Sequence, residues 1–166
     1  CRRLMRRHAG SGALLLATLW AGIVVGVSFI ATVAKFDAPS LTLPVALDVG
    51  RHTFAPLARI EWALWLGLAL AAVLAGRTFV RLSAVLALAA ILALQALWLL
   101  PALDARVELV LTGAVPPHSS LHLLFVACEL LKLAVLAGLA LRELRRLSEP
   151  VPADVRVRFD ADAPAA

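Results

Sequence analysis

At 166 residues the chain has room for one compact unit, and its hydrophobic fraction of 62% with a mean hydropathy of +0.92 lies far above the roughly 45–50% apolar content of soluble domains. That balance excludes an ordinary water-soluble fold. The net charge of +5 calls for no nucleic-acid partner, because Lys and Arg cluster at the ends of apolar stretches, where they set membrane topology.

The chain opens with Cys1 and a basic run, CRRLMRRH, the start of a basic cytoplasmic N-terminus expected over 1–12. A lipidated cysteine there would put that run on the far side of the membrane, against the positive-inside tendency, so missing upstream residues are the favoured reading of the first Cys. Cys128 lies inside an apolar run, and the two cysteines make neither a disulfide framework nor a CxxC motif. The uncharged segment 13–34 is long enough to cross roughly 30 Å of hydrocarbon as a helix. A second, shorter apolar run reaches full length as 60–80 if Ile60, Glu61 and Thr78 to Val80 join it. A third covers 82–103, with polar Gln95 inside and Pro101 near its expected end. The fourth, 119–141, starts after Pro116-Pro117, with Ser119 or Ser120 as its cap.

Arg2, Arg3, Arg6 and Arg7 precede the first span, Arg77 and Arg81 flank the turn between the second and third, and Arg142, Arg145 and Arg146 follow the fourth. All fall on one side. The expected architecture is an all-α, polytopic membrane protein of four transmembrane helices in a bundle, N-in and C-in, forming one domain over 13–141. Two outer loops, 35–59 and 104–118, and a Pro- and Asp-rich cytoplasmic tail over 142–166, expected to be extended or disordered, complete it.

Gly22-x-x-x-Gly26 followed by Ser28 puts small residues on one face of the first helix, which suits either dimerisation or packing within the chain, the latter being the simpler reading. The first outer loop, with Lys35 and Asp37 at its start, is too apolar for a free linker. Within it Asp48, Gly50, Arg51 and His52 combine a turn glycine with groups for local ion pairing. A loop locked by Asp48 with Arg51 or Arg59 is favoured over a ligand site. Glu61 at the mouth of the second helix reads as a cap favoured by the helix dipole, and Trp20, Trp62 and Trp65 as interfacial or packing aromatics.

The fourth helix is the informative part. His118, His122 and Glu129 are spaced by four and seven residues, and Lys132 is nearly on the same stripe. A carboxylate and an amine inside hydrocarbon are costly if bare, so they are expected to point inward and pair with each other or with Gln95. Two readings stand level: a proton or metal path along this stripe, or one neutralising Glu129–Lys132 pair with ordinary interfacial histidines. For a transition metal, His118 and His122 with Asp37 or Glu61 make a reasonable donor set, though the spacing selects no metal. A bis-histidine haem needs His on a second helix at matching depth, and His52 in the loop does not supply it. No cofactor motif is identified. There is also no nucleophile with a base, phosphate loop or HExxH, so no enzyme is indicated.

The pattern LWAGIVVGVSFIATVAKF in the first helix, GRHTFAPLARIEW before the second and HSSLHLLFVACELLKL at the start of the fourth resembles a bacterial four-helix membrane domain of unknown function related to eukaryotic transmembrane protein 205. The resemblance spans most of 19–141 and is carried by Trp20, Phe29, Arg51, Phe54 and His122. It implies four spans. The eukaryotic relative's association with tolerance of platinum drugs implies metal handling through sulfur groups, whereas this chain has no cysteine pair in its spans.

The leading expectation is a non-enzymatic accessory or assembly subunit in the bacterial inner membrane, packing in the lipid bilayer against other membrane proteins or itself. The alternative is a small binding or transport module for a proton, metal ion or quinone, built on the polar face of the fourth helix.

Overall fold

A computed structural model of the chain describes residues 2–148, with side chains from Met5 onward, and its regular structure is entirely helical. Helix α1 (Arg2–Val24) runs through a seven-residue π-helical segment, Val25–Ala31, into α2 (Thr32–Asp37). After α3 (Leu43–Leu74), helix α4 (Phe79–Leu94) passes through a second π segment, Gln95–Leu99, into α5 (Leu100–Leu111), and α6 (Leu121–Ser148) closes the described chain. These make four helices long and apolar enough to cross a membrane: Met5–Asp37, Leu43–Leu74, Phe79–Leu111 and Leu121–Ser148. The shortest, at 28 residues, spans roughly 42 Å at 1.5 Å per residue, more than a hydrocarbon core requires. Between 22% and 33% of each span's most apolar window is buried by the rest of the chain. The remaining apolar surface, including Leu15, Leu86 and Leu97, lies open, as lipid contact demands.

The second span departs most from expectation. It begins at Leu43 rather than near residue 60, so the segment expected as an outer loop is its first half. The chain breaks instead at 38–42, where Ala38 is extended (φ −70°, ψ 112°) because the following Pro39 disfavours the helical region for its predecessor. Pro44 falls in the first turn, where a missing N–H costs nothing. Pro56 lies inside the helix and removes one backbone bond without ending it. Gly50, read from sequence as a turn glycine, is a buried helical residue. A Cβ there would come 2.7 Å from Lys35 Nζ, the movable tip of a long side chain at the end of the first span.

The third span ends at Leu111 rather than near 103, with Pro101 in the first turn of α5, just past the π segment. The π segment has already broken the regular bonding there, so the proline interrupts little. Basic residues 142–146, expected in the tail, continue α6 to Ser148; the rest of the expected tail and Cys1 lie outside the described residues. The turn between α3 and α4 depends on Gly76 at φ +100°, a conformation that costs other residues strain, and Thr78 caps α4 by accepting from the Arg81 amide.

Ala13, Ala17, Trp20 and Val24 from α1, Leu68 and Ala71 from α3, Leu88 and Leu92 from α4, and Leu136 and Leu139 from α6 form one core, so all four spans meet. A second cluster of Ile91, Leu99, Phe125 and Cys128, with Phe54 packed against it, lies beside the network described next. Phe54 and Phe125 meet edge to face at 5.3 Å.

Candidate functional site

Each span presents a stripe of buried residues at helical spacing, and the polar groups of interest sit on those stripes among apolar neighbours. On α3 the stripe is Ala46, Gly50, Leu57, Glu61, Leu68, Ala71 and Ala72. On α6 it is Phe125, Cys128, Glu129, Lys132, Leu136, Leu139 and Glu143. Arg81, Val85, Leu88, Leu92, Gln95 and Leu99 follow the same logic along the third span. Whatever side chain falls on such a stripe is carried to the centre by the burial of its neighbours.

At the centre, Lys132, with no exposed surface, donates from Nζ to Glu61 Oε1 at 2.6 Å and to Glu129 Oε1 at 2.8 Å. Trp20 Nε1 donates to Glu61 Oε1 at 2.8 Å. Gln95 Nε2 donates to Glu129 Oε1 at 2.6 Å, and the Ser28 hydroxyl to Glu129 Oε2 at 2.8 Å. One network thus joins all four spans. Both π segments contribute to it, the first through Ser28 and the second through Gln95, in keeping with the tendency of π bulges to occur where side chains do special work.

A cavity of about 10 Å³ adjoins the network, lined by Glu61 and Gln95 with Phe54, Leu57, Trp62, Leu100 and Phe125 among its apolar walls. Among the described residues nothing donates to Gln95 Oε1, although the side chain is 4% exposed.

A second buried ion pair lies near the turn between α3 and α4. Arg81 meets Glu143 through Nε to Oε1 at 2.8 Å and Nη2 to Oε2 at 2.6 Å, and its Nη1 donates to the carbonyls of Ala75 and Gly76. This two-pronged geometry suits guanidinium and carboxylate. It fastens the turn to α6. At the opposite end Arg51 donates to Asp48 Oδ1 at 2.7 Å and to Glu108 Oε2 at 3.0 Å, so the pairing expected inside the first outer loop is a bond within α3 extended to α5.

The sequence-derived candidates separate. Glu129, Lys132 and Gln95 come together inside the protein, whereas His118 and His122 are exposed and away from them. Glu61, expected as a helix cap, is mid-helix and buried as a partner of Lys132. Asp37 is exposed, and His118, His122, Asp37 and Glu61 do not gather: no group of three or more His, Cys, Asp or Glu able to hold a metal ion occurs among the described residues. Arg59 is exposed and enters no ion pair among the described residues. A Cβ added at Gly22 or Gly26 would meet open space, so this pair does not serve packing within the chain, while Ser28 turns inward to Glu129. Sequence reasoning missed Trp20, Glu61, Arg81 and Glu143 as polar partners. Their shared signal was position: each lies four or seven residues from an apolar residue of a buried stripe.

Comparison with protein-family models, with curated proteins and with solved structures found no match to this chain.

Proposed function

We propose that the chain is a non-enzymatic multi-pass membrane protein whose working part is the Glu61–Lys132–Glu129 network, and that this network takes up and releases one proton within the membrane. The observation that carries the proposal is the position of Lys132 Nζ, fully buried between carboxylates from two different spans. With all three groups ionised the network has one negative charge in excess. An uncompensated charge in that setting costs several kcal/mol, and a single proton shared by the network cancels it. Trp20, Ser28 and Gln95 supply neutral donors that hold the carboxylates in place without altering the charge count. Among the cargoes considered from sequence, a metal cation would meet the ammonium where it needs a ligand, and the 10 Å³ cavity has room for about one water rather than a quinone ring.

The test is infrared titration of the full chain in lipid nanodiscs. A protonated-carboxyl band in the wild-type chain that disappears in both Glu61→Gln and Glu129→Gln supports the proposal. A wild-type chain with no such band, its carboxylates ionised throughout, overturns it.

A second reading, an accessory subunit that packs against another membrane protein or itself, is favoured by Gly22 and Gly26, which open outward from the first span and permit close approach of another helix. A chain that purifies from mild detergent only as a monomer without a partner would remove that support. The arginines at the Arg81 end of the spans support a bacterial inner-membrane placement with both termini in the cytoplasm, and we propose kinship with the four-helix domain that the sequence resembles.

A further inference from the structure

We infer that the cavity between α3, the third span and α6 binds one water molecule, which bridges Gln95 Oε1 and the Glu61 carboxyl and is the port by which a proton enters the network. The inference rests on the proton-binding reading and adds to it a route and a direction.

Three observations carry it. First, Gln95 Oε1 is a buried acceptor without a donor among the described residues, on a side chain whose amide nitrogen is already committed to Glu129 at 2.6 Å. A buried amide carbonyl left unpaired is costly. Second, Gln95 and Glu61 both line a cavity of about 10 Å³, about the space one water occupies, and they supply the two polar partners that a buried water needs. The two bonds that Glu61 receives from Trp20 and Lys132 both fall on Oε1, which leaves Oε2 available. Third, most of the cavity's apolar lining lies to one side of the network, with Trp62 and Leu92 closing its other edge. Phe54 and Leu57 precede Glu61 on α3, Ala96 and Leu100 follow Gln95 on the third span, and Phe125 precedes Glu129 on α6. All of these lie toward the end that carries Arg51, Asp48 and Glu108, away from the Arg81–Glu143 pair.

The water supplies what the apolar walls cannot. As its O–H bond breaks, an O–H bond forms to Glu61, and the water regains a proton from the aqueous side at that end. The ionisable groups around this step are Glu61 on α3 and Glu129, Lys132 and the nearby Cys128 on α6. Among the described residues, the first and third spans contribute to the network the neutral donors Trp20, Ser28 and Gln95.

The experiment is infrared spectroscopy of the full chain in nanodiscs, comparing ordinary water with H₂¹⁸O while following the carboxyl band. A water O–H band that shifts with the oxygen isotope in the wild type, and is lost both in Gln95→Met, which removes the acceptor, and in Ala58→Leu, which fills the cavity, supports the inference. Absence of the band from the wild type, or its persistence in Gln95→Met, overturns it. The carboxyl band keeps the two ideas apart: if it is present while no isotope-sensitive water exists, the port fails and the proton-binding reading stands. If Ala58→Leu does not fold, Gln95→Met decides alone.

Discussion

Lys132 on α6 and Glu61 on α3 are 71 residues apart in sequence, and their charged groups meet at 2.6 Å in the interior. The contact ties together two spans that otherwise touch through apolar side chains, and it makes the two residues energetically dependent on each other. Lys132→Met leaves Glu61 and Glu129 buried without their cation, and breaking a buried pair of this kind costs about 3–5 kcal/mol. The expected outcome is a large fall in the denaturation midpoint in detergent. Adding Glu61→Leu to Lys132→Met should then cost less than the sum of the single changes, because the second substitution removes a stranded charge. Strictly additive effects would show that the two groups do not act as a pair.

The Arg81–Glu143 pair makes a different demand, because its geometry depends on a planar, forked donor. Lysine keeps the charge but not the fork. Arg81→Lys is therefore expected to lose most of what Arg81→Met loses, about 3 kcal/mol or more, as the carbonyls of Ala75 and Gly76 also lose their donor. Stability of the two variants in the same detergent checks this. A fully stable Arg81→Lys protein would mean that charge alone matters at this turn.

Four spans could be read from runs of uncharged residues because hydrocarbon thickness sets a minimum length, and that length is written directly in the sequence. Where the second span begins and where the third ends is not legible, since a proline in the sequence does not say whether it breaks, opens or is carried by a helix. Pro39 does break the chain, but Pro44 opens a helix, Pro56 is tolerated within one and Pro101 follows a π segment. The error in the second span hid Glu61: placed at a helix mouth it reads as a cap, whereas mid-span and on the stripe with Leu57 and Leu68 it points to the core. Gln95 is legible as one of the alternative partners for Glu129 and Lys132, because a lone amide in hydrocarbon needs a partner. Trp20 is not, because an indole N–H in a span has several satisfactory places to go.

Glycines in this chain divide by what surrounds them, and substitution should separate them. Gly76 sits at φ +100° in the turn after α3, so Gly76→Ala is expected to cost about 1–2 kcal/mol of strain. Gly22 and Gly26 face open space, so alanine at either should leave the stability of the monomer unchanged or slightly raised. If Gly22→Leu also weakens self-association or recovery of a partner while leaving the monomer's unfolding midpoint alone, the outer face of α1 is a contact surface. Unfolding curves and sedimentation in detergent read the two effects separately.

Gly50 tests how rigidly the end of the first span is held. The atom that an added Cβ would meet is Lys35 Nζ, at 2.7 Å, and it is the tip of a long, flexible side chain that is only partly buried. Moving it aside costs little, because the ammonium is close to water and swings on several rotatable bonds. Against that small cost stands the gain from replacing glycine in a helix interior, up to about 1 kcal/mol. Gly50→Ala is therefore expected to be neutral or to stabilise the chain by about 0.5 kcal/mol. A fall in the unfolding midpoint would show that Lys35 is fixed where it lies, and the double variant Gly50→Ala with Lys35→Met should then restore it.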